Sequence, residues 1–196
     1  MNVSSQRLRV LLTAVSGLFI PVCAWAHPGN EGVHDAFAGM LHPFTGLDHM
    51  LAMIAIGLWA TRLCRRARYV LPVVFPAMML AGGWLSSAGV VLPGVEAIIA
   101  ASVIVLGFLI AAAVRVSLFG GALLVGTFAV FHGYAHVNEA THSEWMLYAA
   151  GFVASTLVLH LVGLGLGSLM TRPNSAVPRV SGSLIAIAGA ALLMAG

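Results

Sequence analysis

Residues 42–68 read HPFTGLDHMLAMIAIGLWATRLCRRAR. An apolar run from Met50 to Ala60 has His42, Asp48 and His49 before it and Arg62, Arg65, Arg66 and Arg68 after it. Such a run suits lipid rather than water, and in lipid an unpaired strand leaves its backbone N–H and C=O groups unsatisfied, so a helix is required. Arginines collect on the cytoplasmic flank of membrane helices. The stretch therefore predicts a transmembrane helix over about 43–61, its histidine end outward and its arginine end in the cytoplasm.

The rest of the chain extends this pattern. Of 196 residues, 60 % are hydrophobic and 8 % charged, against roughly 25 % charged in a soluble domain; mean hydropathy is +1.01. Further apolar segments at about 69–90, 95–114, 117–137, 145–169 and 181–196 are each long enough to cross as helices, the last being short at the chain end. Ahead of them, Arg7 and Arg9 form a positive n-region, residues 10–22 an apolar core, and Ala24-Trp25-Ala26 a signal-peptidase site. The expected fold class is all-α: a polytopic membrane protein of six transmembrane helices after a cleaved signal peptide. Residues 1–26 are the signal and 27–196 one membrane domain in the bacterial inner membrane, with a periplasmic mature N-terminus. An uncleaved first helix is the alternative.

With the N-terminus outside, the arginines at 62–68, Arg115, Arg172 and Arg179 all fall on the cytoplasmic side, and the outer loops 91–94 and 138–144 hold none. Seven of the nine arginines behind the net charge of +3 sit on these flanks, so the charge says little about nucleic acid. Cleavage leaves Cys64 as the sole cysteine, which excludes a disulfide framework and a multi-cysteine metal site. Gly82, Gly83, Gly120, Gly121, Gly126 and the run Gly163-Leu-Gly-Leu-Gly167 suit close helix packing in lipid. Pro72 and Pro76 predict a kink in the second span. Three spans per half would set the second half upside down relative to the first, as in inverted-repeat transporters.

Ionisable side chains in a bilayer are costly and mark function. Here they crowd the outer side. His132 and His136 are four apart, with Glu139 three further on, so all three share a helical face. His42 and His49 stand two turns apart, with Asp48 beside His49 and Met53 a turn further inward. Imidazole with carboxylate suits nickel, cobalt, zinc, copper or iron rather than magnesium or calcium. His27, Glu31, His34 and Asp35 could form an outer capture site, the mature His27 adding its α-amine; equally, His27 is simply the residue that cleavage leaves. Two readings stand for His160, alone in the cytoplasmic half of the fifth span: a hydrogen bond to a neighbouring helix, or a step on an ion's inner path. His142 suits a solvated loop, Glu144 lies beside it, and Glu96 suits a helix N-terminus.

These blocks resemble the HupE/UreJ family. His27-Pro28-Gly29, His34, the run from His42 to Met53 and Gly57-Leu58-Trp59-Ala60 carry the likeness, together with Phe131-His132-Gly133-Tyr134-Ala135-His136 and Glu139. The resemblance covers essentially the whole mature chain. It implies a secondary permease importing nickel or cobalt from periplasm to cytoplasm, tied indirectly to hydrogenase, urease or cobalamin maturation. It carries the family's functional positions onto His42, Asp48, His49, His132, His136 and Glu139. On this reading the protein is not an enzyme and holds no tight cofactor; Ni2+ or Co2+ is its transported substrate and the bilayer its solvent, and assembly as a homo-oligomer stays open. No Walker-type loop is present to hydrolyse ATP. Two rivals are an intramembrane metal-dependent hydrolase and a haem carrier with histidines as axial ligands.

Overall fold

Backbone polar groups in an apolar chain are most easily satisfied along one helix, and the regular elements here are all helices. The computed structural model describes residues 36–137, 145–170 and 176–195. Its helices are α1 (Ala36–Thr45), α2 (Leu47–Ala60), α3 (Ala67–Ser87), α4 (Val95–Ala111), α5 (Leu118–Val137), α6 (Trp145–Leu169) and α7 (Val177–Ala195). Among the described residues there is no strand. Helices α3, α5, α6 and α7 are each long and apolar enough to cross a membrane, and α1 with α2, a bent pair, reaches that length and apolarity only when the two are taken together, as a broken span or a re-entrant loop. Helix α4 has 17 residues, about 26 Å at 1.5 Å per residue, somewhat less than the roughly 30 Å hydrocarbon layer.

The first span departs from its expected form. It is not one helix over 43–61 but begins at Ala36 and breaks at Gly46, with 84° between its two parts. Pro43 lies inside α1 and lacks the N–H that would hold its turn. Gly46 is extended (φ −91°, ψ 111°) and caps α2 with no side-chain bond. The cost of the break is reduced because its backbone still bonds across it: Gly46 N–H donates to His42 O at 3.3 Å, and Met50 N–H to Gly46 O at 3.0 Å.

Helix α2 is about 21 Å long, too short to span alone, and it is enclosed on every side. Met53, Ala55, Ile56, Trp59 and Ala60 are 0 % exposed, as suits a helix that is apolar all round. It packs against α1, α3, α4, α6 and α7 and touches α5 through His49. At its C-terminal end Trp59 Nε1–H donates to Val114 O at 3.2 Å, tying it to the turn between α4 and α5. Lipid-facing surface is apolar, with Val73, Trp84, Phe108, Phe119, Leu161 and Ile187 exposed.

Glycines set the closest helix approaches. A Cβ on Gly57 of α2 would strike His160 O of α6, and one on Gly163 would strike Ile54 O. Gly133 of α5 meets Met79 O of α3 and Gly82 meets Val130 O; Gly107 and Gly182 do the same between α4 and α7. The most extensive pairings are α3 with α5, α4 with α7, and α1–α2 with α6. Exchanging α1–α2, α3 and α4 for α5, α6 and α7 maps these pairings onto one another. The glycine notches exchange with them, the α2–α6 seam onto the α5–α3 seam.

Candidate metal centre

The break at Gly46 has a direct consequence for side chains. His42 and His49, expected on one continuous face, sit on different helices with their ring centroids 6.1 Å apart. Into the elbow between them comes His136 of α5, 4.4 Å from each ring. One turn earlier on α5, His132 stands 4.9 Å from His49. Four imidazoles from three helices thus form one cluster, with His49, His132 and His136 buried and His42 half-buried. Phe152 of α6 covers His136 at 4.7 Å and His42 at 5.7 Å, and Tyr148 lies 5.9 Å from His42.

Hydrogen bonds assign the tautomers. Asp48 Oδ1 accepts from both the backbone N–H of His49 (2.8 Å) and its ring Nδ1–H (2.7 Å). This leaves a lone pair on His49 Nε2, and His136 Nε2–H donates to it at 2.6 Å. His132 Nδ1–H donates to Phe128 O at 2.9 Å, so His132 Nε2 also carries a lone pair, and that atom is buried without a partner. An imidazole whose Nδ1–H is fixed by a carboxylate or a backbone carbonyl, with Nε2 turned inward, is the usual presentation of a metal-ligating histidine. His49 and His132 both have it.

As the rings stand, no three His, Cys, Asp or Glu side chains among the described residues are placed to hold one ion. The distances give the reason. Two nitrogens bound to one ion at about 2.0–2.1 Å must stand roughly 3 Å or more apart, further than the hydrogen-bonded His49–His136 pair. To ligate one ion together, the two rings would have to part by a few tenths of an ångström and His136 would have to carry its proton on Nδ1 instead of Nε2. A cavity of about 30 Å³, room for about one water, reaches His136 between α3, α5 and α6, lined by Met79, Gly83, Tyr148 and Phe152 among others.

Of the residues singled out in the sequence, the fold brings together His42, Asp48, His49, His132 and His136. His160 lies apart, its ring 5.4 Å from Phe75, which is also 5.5 Å from His132. Glu96 is exposed in the first turn of α4. Glu139, His27, Glu31, His34, Asp35, His142 and Glu144 lie outside the described residues, as does the signal segment. Phe75, Tyr148 and Phe152 were not legible as site residues, because aromatic rings in apolar helices look like packing. Only the four-residue step from Tyr148 to Phe152 to Thr156 to His160 hinted at a shared face.

The fold and the cluster define a multi-pass helical membrane protein with a buried histidine–aspartate centre. A family model described as HupE / UreJ protein matches residues 14–192. Protein HupE of Rhizobium leguminosarum bv. viciae is 42 % identical over 186 residues, covering 94 % of this chain and 97 % of that protein. The chain belongs to the HupE/UreJ family. No solved structure matches it.

Proposed function

We propose that this protein is a secondary permease that carries nickel or cobalt ions from the periplasm to the cytoplasm across the bacterial inner membrane. The observation that carries the reading is the pair of buried Nε2 lone pairs on His49 and His132, each fixed by a hydrogen bond on the opposite ring nitrogen. Nitrogen donors backed by carboxylate suit nickel and cobalt alike. His42, His136 and Glu139 complete the ligand set of this reading, and Glu31, His34, Asp35 and the mature His27 attract the ion on the outside.

Six spans follow a cleaved signal over residues 1–26: the bent α1–α2 pair and the five later helices, α4 included. The mature N-terminus is periplasmic, which sets the cluster outward and the arginine-rich loop at 62–68 inward. The match between the two halves' pairings supports an inverted repeat, and alternating access then follows from rocking one half against the other. A membrane potential of 100 mV supplies about 4.6 kcal/mol to an entering dication, so entry needs no coupled ion. The intramembrane hydrolase remains the second reading, since a histidine–aspartate centre also activates water.

The test is uptake of radioactive nickel and cobalt into proteoliposomes by the wild type and His49→Ala. Saturable uptake lost in the variant is the expected result. Tight binding with no movement of either ion would sink the permease and favour the hydrolase.

A further inference from the structure

Beyond the four-ring cluster, one more histidine among the described residues is buried. His160 is 1 % exposed and neither ring nitrogen has a hydrogen-bond partner. One turn earlier, Thr156 is 0 % exposed and its hydroxyl is unpartnered too. Both groups carry a donor and an acceptor, so three polar atoms face no protein partner inside the membrane domain. Apolar residues of the same shape would be no worse for folding, since an unmade buried hydrogen bond is the costly case. Packing therefore does not account for this pair.

Its place in the fold does. Tyr148, Phe152, Thr156 and His160 step along α6 four residues at a time and form one stripe. The outer half of the stripe, Tyr148 and Phe152, lies against the cluster. The inner half lies deeper. His160 O is level with Gly57 of α2, eight residues and about 12 Å beyond His49 along that helix. Between the two levels stands Phe75, in ring contact with His132 on one side and His160 on the other. Phe75 is 0 % exposed and lies on a stretch of α3 bounded by Pro72 and Pro76, where two backbone hydrogen bonds are missing and the helix can flex.

We propose that His160 and Thr156 form a second, inner binding station for the divalent ion, ligated by one imidazole nitrogen and the hydroxyl with water completing its shell. The proposal rests on the permease reading. A site of one imidazole and one hydroxyl, with no carboxylate or carbonyl fixing the ring, binds more weakly than the outer cluster. An ion in transit needs such a site, because it must leave again.

The experiment uses the full chain in nanodiscs and proteoliposomes, with nickel alone as probe. Binding stoichiometry by equilibrium dialysis, uptake and melting midpoint are compared for wild type, His160→Leu and Thr156→Val. The wild type is expected to bind one ion and a second at least tenfold more weakly. Both variants should lose the second ion, keep the first, melt no lower and take up nickel at least tenfold more slowly. If His160→Leu fails to fold, the near-isosteric Thr156→Val carries the test. A second ion retained in the variants overturns the station, as does wild-type binding of one ion with uptake unchanged in them. So does a lowered melting midpoint in Thr156→Val with nickel binding intact, because the hydroxyl is then structural. A wild type that moves no nickel, yet loses its second ion in the variants, leaves the station standing and removes the permease.

Discussion

The outer cluster and His160 are buried in the same bundle under opposite conditions. At the cluster, Asp48 and the Phe128 carbonyl hold two rings in fixed tautomers, and His136 is bonded to His49. At His160 neither nitrogen is held. Fixed donors lose less freedom on binding and give affinity; a free ring gives exchange. On the proposed permease, the difference would let an ion be held firmly at the cluster and passed on loosely at His160.

The comparison breaks most sharply at His49. His49→Ala removes one fixed lone pair and the acceptor of the His136 proton, and nickel affinity measured by dialysis should fall at least about 100-fold, beyond the 10–100-fold typical of outer-shell partners. Asp48→Asn leaves every ring in place but weakens the anchor on Nδ1. Its expected loss is about 10- to 100-fold in affinity, with the melting midpoint little changed. No such dependence on Asp48 is expected for the inner ion. An Asp48→Asn protein with wild-type nickel affinity would show that the tautomer is set by something else.

Acid should act next. A protonated imidazole cannot ligate, so acid should weaken nickel binding and its removal should restore it. The outer site depends on several rings and the inner on one, so the outer ion should show the steeper loss as pH falls. Equal slopes would argue against a multi-histidine outer site.

The helical class and helix positions were legible because apolar length and arginine flanks report directly on lipid. The cluster was partly legible: the four-residue spacing of His132 and His136 puts both rings on one face of α5, and the fold turns that face toward His49. The break at Gly46 was not. Proline and glycine at 43 and 46 suit a loosened helix start, but an 84° bend depends on α6 packing against both α1 and α2, which no local pattern encodes. Phe75 and Thr156 were hidden for the same reason. Their neighbours come from other helices, and a phenylalanine or threonine in an apolar segment carries no mark of what it faces.

The glycine run at 163–167 gives the finest separation, since its three members look alike in sequence and differ in the fold. A Cβ on Gly163 would enter the Ile54 carbonyl, and one on Gly167 would meet Thr61 Oγ1, whereas Gly165 has nothing within 4 Å. Gly163 lies in the seam that sets α6 against α2 at the depth of His160, well below the cluster. Gly163→Ala should therefore cost about 1–3 kcal/mol of stability by overpacking and slow uptake more than it weakens outer nickel binding. Gly165→Ala should leave the melting midpoint, binding and uptake close to wild type. Equal destabilisation by the two would mean that the run acts through backbone flexibility and not through a seam. The Gly57–Gly163 contact would then no longer explain how His160 is held at its level.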